Sequence, residues 1–174
     1  QDLYFHTIMT LLDDDFKTVK SLKPKSLKTP ADRLNYEHGH YLDIHHVENL
    51  KGFIWNDDWS PVDKTPTRDG FVDVPVLEAG IPGSSFRLQF KGSVIGISVL
   101  SGPDAGIIED SIDGREYPPI DLYTAWSNSL YLPWFLVLGD NLKSGNHILE
   151  VQVSQRHHEY SKGTSIRIVN FLES

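Results

Sequence analysis

Beyond residue 40, apolar and polar residues alternate with a period of two. Phe86, Leu88 and Phe90 are separated by Arg87 and Gln89; Ile95, Ile97 and Val99 follow; Leu149, Val151 and Val153 alternate with Glu150 and Gln152. Successive side chains on a strand point to opposite faces, so this pattern predicts half-buried strands. Turn-forming stretches separate them: IPGSS at 81–85, KGS at 91–93, SGPDAG at 101–106, Asp113-Gly114, GDNLKSGN at 139–146 and SKG at 161–163. Short strands punctuated in this way predict a mainly β chain, an antiparallel β-sandwich (jelly roll). The run LYLPWFLVL at 130–138 is apolar on both faces and holds Pro133. It fits either an edge strand or a strand covered on both sides.

One segment follows a different period. In DLYFHTIMTLLDDDF, residues 2–16, Leu3, Tyr4, Ile8, Leu11, Leu12 and Phe16 recur at three- and four-residue spacing. That spacing predicts a single N-terminal amphipathic helix, with Asp2 as N-cap. Asp13, Asp14 and Asp15 set negative charge at the C-terminal end of the helix dipole, which predicts that the helix stops there. Residues 17–33 interleave Lys17, Lys20, Lys23, Lys25 and Lys28 with Ser and Thr, broken by Pro24 and Pro30. This composition reads as a solvated connector rather than a lipid-binding patch, for it lacks bulky aromatics. The organisation expected is therefore a helix at 1–16, a Lys/Pro-containing linker at 17–39 and a β-sandwich at 40–174.

Composition narrows the function. The chain has 174 residues with 24 acidic and 16 basic side chains, a net charge of -8. Nucleic acid is a poor partner for such a balance, since binding it needs a basic footprint. The absence of cysteine excludes disulfides and thiolate chemistry. No apolar run approaches the roughly 18 residues of a membrane span, so no membrane partner is expected. There is no basic-then-apolar signal segment. The chain opens at Gln1 without an initiator Met, which predicts a processed or truncated N-terminus.

Candidate chemistry is sparse. No G-x-S-x-G occurs, and Ser84, Ser85 and Ser93 sit in turn-like stretches where serine bonds to nearby backbone. His38, His40, His45 and His46 cluster in EHGHYLDIHH, and His157 and His158 form a second pair. His38 and His40 would share a strand face and could hold a divalent metal with Glu37 or Asp43, but no zinc spacing is present and no metal or other cofactor is expected. The carboxylate pairs Asp57/Asp58, Glu109/Asp110 and Asp113/Glu116 are close in sequence, which does not by itself place two carboxyls across a cleft. Asp113-Gly114 reads as a hairpin turn. Neither DAG at 104–106 nor GDN at 139–141 resembles an EF-hand calcium loop. Aromatics are the best binding signal. Trp55 and Trp59 flank NDD, and Tyr123 and Trp126 lie with Asp121 in DLYTAWSNS. Rings beside carboxylates and amides are the chemistry of sugar recognition, although the same rings could plug the ends of a sandwich.

Over roughly residues 40–172 the chain resembles the jelly-roll domain that accompanies bacterial SGNH/GDSL-type carbohydrate esterases. The resemblance rests on Phe90-Lys91-Gly92, on Gly102-Pro103-Asp104-Ala105-Gly106 leading to Ser111-Ile112-Asp113-Gly114, on Asp121-Leu122-Tyr123 and on Gly145-Asn146-His147. DLYFHTIMTLLDD resembles the last helix of that family's catalytic domain. The GDSL block, the oxyanion Gly and Asn blocks and the D-x-x-H block are absent from the chain, so no catalytic residue is assigned, and His6 and Asp2 are not substitutes. The resemblance implies a non-catalytic accessory module of a periplasmic or extracellular ester hydrolase that deacetylates glycans. Its partners would be an SGNH catalytic domain in the parent chain and glycan. The unpaired helix stripe predicts homodimerisation. The alternatives are an independent carbohydrate-binding module and, less favoured, a self-sufficient hydrolase using the His cluster.

Overall fold

A computed structural model describes residues 2–18 and 38–174. The chain divides into two units, Gln1–Asn35 and Tyr36–Ser174. In the first, helix α1 (Asp2–Thr18) runs through the acidic triplet instead of ending at it, and Asp2 is its first residue rather than a cap before it. Lys17 accounts for the extension. Its Nζ lies 3.2 Å from the Asp13 carboxylate one turn back, and it sets a cation in the last turn, where the helix dipole favours one. Tyr4, Ile8, Leu11, Leu12 and Phe16 are exposed. Among the described residues no helix is long and apolar enough to cross a membrane. Residues 19–37 of the expected linker lie outside the described residues.

The second unit is built of strands: β1 (His40–Leu42), β2 (Val47–Lys51), β3 (Ile54–Trp59), β4 (Val74–Ala79), β5 (Ser85–Gly92), β6 (Ile95–Ser101), β7 (Gly106–Ile112), β8 (Arg115–Glu116), β9 (Ile120–Asp121), β10 (Leu132–Gly139), β11 (Gly145–His157) and β12 (Ile166–Glu173). They form two antiparallel sheets, ordered β10-β6-β12-β4-β3 with β1 beside β12, and β2-β5-β11-β7-β8 with β9 beside β7. The fold is the expected β-sandwich with one N-terminal helix.

Alternation does what the sequence predicts in the second sheet. Phe86, Leu88 and Phe90 of β5 and Leu149, Val151 and Val153 of β11 are buried, facing Ile97, Val99, Ile168 and Phe171 in one core. The hairpin at Asp113-Gly114 has both residues at positive φ (52° and 78°), the geometry of a type I′ turn joining β7 to β8. His147 locks that turn. Asp113 and the Lys143 carbonyl each lie 2.6 Å from one of its ring nitrogens, so both nitrogens face acceptors, and the Asp113 hydrogen bond above all raises the ring's pKa from its usual 6.5.

Two segments depart from the simple pattern. β6 is buried at every position because the outer face of its sheet is also covered. Trp59, Val76, Leu100 and Tyr131 form a second apolar cluster there, and residue 131 ties down the 60–73 stretch through hydrogen bonds from its N–H to the Pro66 carbonyl and from Arg68 N–H to its own carbonyl. Gly102 belongs to the same covering. A Cβ on Gly102 would sit about 2.1 Å from the Tyr131 ring, so only glycine lets that ring close over the sheet. The run holding Pro133 becomes β10, an edge strand paired, among the described residues, with β6 alone. An edge position leaves the missing proline N–H without consequence for the ladder.

Candidate functional site

The loops after β9 and β11 meet at one end of the sandwich. Leu122 N–H bonds to the Gly106 carbonyl, Gly106 N–H bonds to the Ser165 carbonyl, and Ala105 bridges Ser165, so segments 102–106, 122–131 and 158–165 are stitched together. Tyr123, Thr124, Ala125, Asn128, His158 and Tyr160 line a cleft of about 680 Å³ there. His158 stacks on Tyr123 with ring centroids 4.6 Å apart and planes within 11°, and Tyr160 lies 5.5 Å from His158 on a tilt.

The tautomer of His158 follows from its partner. The backbone N–H of Tyr160 points at His158 Nδ1 across 3.2 Å, so Nδ1 accepts and the ring N–H lies at Nε2. The cleft thus offers a fixed N–H donor among aromatic faces. Asp121, the last residue of β9, accepts from the Tyr123 backbone N–H at 2.9 Å and fixes the start of the loop.

Both loops are pinned from below by a buried serine. Ser127 Oγ accepts from Thr124 N–H at 2.8 Å and bonds to Thr124 Oγ1 at 2.9 Å and Ser101 Oγ at 2.6 Å. Ser101 in turn donates to the Leu122 carbonyl. In the second loop Ser161 Oγ reaches the Ala105 carbonyl at 2.7 Å and that of Gly163 at 3.0 Å. Removing the Ser127 hydroxyl leaves the Thr124 N–H and the Ser101 hydroxyl short of a partner. Ser127→Ala is therefore expected to cost about 1–3 kcal/mol in urea unfolding, whereas Ser129→Ala, in an exposed turn, changes stability by less than about 0.5 kcal/mol.

The sequence-derived contact residues separate. Tyr123 and Trp126 lie on one loop, which Asp121 leads into as the last residue of β9. Trp55 lies on β3, at the opposite edge of the sheet from β10, where it stacks on His45 and donates to the Ile44 carbonyl at 3.3 Å. The stretch FIWNDDWSP is mostly strand β3, with a register shift between Asn56 and Trp59. Trp59 is only 3% exposed, so it offers no face to a sugar. It packs instead under the Arg167 guanidinium, 5.3 Å from its ring.

The other clusters resolve into separate contacts. His40 pairs with Glu173 at 2.8 Å, while His45 and His46 both turn to Asp43, through its carboxylate and its carbonyl. Among the described residues no three His, Asp or Glu side chains converge as metal ligands. Glu109 and Asp110 point to opposite faces of β7. Glu109 takes the Ser154 hydroxyl at 2.7 Å, and Asp110 is buried with both oxygens unpartnered. Burial alone pushes its pKa up to about 6.

Of the cleft residues, Tyr160 was not singled out from sequence, and His158 was noted only as one of a histidine pair. Their signal is HHEY lying between the end of a long strand and the SKG turn, a second aromatic-rich loop in a sandwich.

No protein-family model matches the chain, and no curated protein matches it by sequence. Solved structures do share its fold. A two-domain esterase (CEX) active on acetylated mannans superposes with a TM-score of 0.67 at 17% identity, over 97% of this chain and 45% of that one. Its crystal with mannopentaose gives 0.63 at 18% identity, over 97% and 44%. A Paenibacillus xanthan lyase gives 0.53 at 15% identity, over 88% of this chain and 14% of that one. The chain thus spans less than half the length of these esterase chains, and at such identities the likeness is one of fold.

Proposed function

We propose that this chain is a non-catalytic, carbohydrate-contacting accessory module of a larger SGNH/GDSL-type carbohydrate ester hydrolase, acting in the periplasm or outside the cell. The observation that carries the proposal is the loop-end cleft, with Tyr123 and Tyr160 around His158 and the Asn128 amide beside them. A pyranose presents an apolar C–H face and a rim of hydroxyls. The Tyr123 ring suits the face, and the His158 Nε2–H and Asn128 amide suit the hydroxyls. Because Ser127 and Ser161 already fix the two loops, little ordering entropy remains to be lost on binding. The fold shared with a two-domain esterase on acetylated mannans supports a place beside a catalytic domain.

The test is calorimetry of the full chain against acetylated mannan and xylan fragments. Saturable heat is expected, with Tyr123→Ala weakening affinity about tenfold. Absence of saturable binding to every fragment would overturn the contact role. Release of acetate from those fragments by the chain alone would overturn the non-catalytic one.

A further inference from the structure

Residues 122–135, LYTAWSNSLYLPWF, carry no charged side chain, in a chain where 23% of residues are charged. This stretch supplies Tyr123 and Asn128 to the cleft and then enters the edge strand β10. Within it Trp126 is 56% exposed and Trp134 is 38% exposed, with ring centroids 6.0 Å apart and a tilt of 41°. Tryptophan is usually largely buried, so two neighbouring indoles left open to solvent mark a surface shaped for a ligand. The polar groups interleaved with them (Thr124, Asn128 and Ser129) are hydroxyls and an amide. That lining suits a ligand which is itself neutral and hydroxylated.

We propose that Trp126 and Trp134 form a second aromatic subsite continuous with the Tyr123–His158–Tyr160 cleft, and that the ligand is a neutral polysaccharide chain several pyranose units long. This rests on the glycan reading of the cleft and adds to it a length requirement and a new contact residue, Trp134. Each ring face stacks one sugar, so a chain long enough to reach both clusters gains the second stacking contact while a short one does not. The base of the loop is held by Ser127, which is fully buried, so the two aromatic clusters keep a fixed spacing.

The experiment is calorimetry of the full chain against β-1,4-linked manno- and xylo-oligosaccharide ladders of two to six units. On at least one ladder the hexasaccharide is expected to bind about tenfold more tightly than the trisaccharide. Trp134→Ala and Trp126→Ala should each flatten that ladder, so that the hexasaccharide binds no more tightly than the trisaccharide. Trp134→Phe, which keeps a ring on the edge strand, should restore most of the gain and show that folding is not the cause. Tyr123→Ala should weaken every length. A ladder that is already flat in the unmodified chain, or one that keeps its slope in folded Trp134→Ala, would overturn the second subsite and leave the cleft reading standing. No saturable binding at any length on either ladder would overturn this proposal, and the acetylated fragments would then decide the cleft reading by itself.

Discussion

Asp104→Ala is expected to destabilise the sandwich by about 3 kcal/mol, because it strips the main partner from a buried guanidinium. Arg167 is 8% exposed and lies between two aromatic faces, 5.3 Å from the Trp59 ring and 5.2 Å from that of Tyr131. Its two terminal nitrogens reach Asp104 at 2.9 and 2.7 Å, a bidentate pair, while Nε lies 3.6 Å from Glu78. Burial works to raise the Asp104 pKa, but the Arg167 hydrogen bonds outweigh it, so the folded value lies below 3.8. The sign follows: this stabilisation is complete above the unfolded pKa and is lost as pH falls through the lowered folded value. The same surroundings push Tyr131 up to about 12, chiefly by burial and then by the Asp104 charge. Without Asp104, the guanidinium keeps only Glu78 in a site that water barely enters. Arg167→Met removes the charge and keeps much of the packing stem. It leaves Asp104, whose side chain is 28% exposed, able to turn to water, so the expected cost is nearer 1–2 kcal/mol. Urea unfolding at pH 7 decides the matter. The double variant Asp104→Ala/Arg167→Met should be more stable than Asp104→Ala alone. If Asp104→Ala costs less than about 1 kcal/mol, the pair is not holding the outer cluster together.

That cluster also shows where sequence reading stopped. The alternation in β5 and β11 and the Asp113-Gly114 hairpin are local signals, each set by residues a few positions apart, and the structure reproduces them. The burial of Trp59 is not local. It depends on Arg167 and Tyr131 arriving from far along the chain, and on a bulged edge strand made of Asn56, Asp57 and Asp58, residues that disfavour strands. Nothing in FIWNDDWSP announces either event. The loop aromatics Tyr123 and Trp126 were legible because a polar loop gives two large rings no obvious core to enter. Trp134 was concealed by its apolar neighbours. In LYLPWFLVL every residue resembles core, and only the edge position of β10 separates the exposed Trp134, Phe135 and Val137 from the buried Leu132 and Leu138. Carboxylates that are neighbours in sequence do not make a paired site here, for a simple reason. Adjacent residues on a strand face opposite ways, so Glu109 and Asp110 never share a site.

Asp110 should therefore act against the fold, and replacing it should help. Its carboxylate lies on the core face of β7, opposite Val151 of β11, with neither oxygen hydrogen-bonded. Burial raises its pKa from 3.8 to about 6. Below pH 3.8 the carboxyl is neutral in both folded and unfolded chains, and ionisation costs nothing. Between 3.8 and 6 the unfolded chain releases its proton while the folded one keeps it, so stability falls as pH rises. Above about 6 the penalty is constant, of order 1–3 kcal/mol for a shift of this size once partial access of water is allowed for. Asp110→Val removes the charge and extends the apolar face of a strand whose neighbours on that face are Ile108 and Ile112. It is expected to gain about 1–3 kcal/mol at pH 8 and to gain less at pH 4, the difference between variant and parent tracing the Asp110 titration. Asp110→Asn separates charge from polarity. It should remove the pH-dependent part but leave an unpartnered amide, and so recover less than valine does. Chemical denaturation at pH 4, 6 and 8 for the three proteins tests this directly. An Asp110→Val chain less stable than its parent at pH 8, or a stability difference that does not change with pH, would mean that the carboxylate has a partner in solution and is held there for a purpose other than packing.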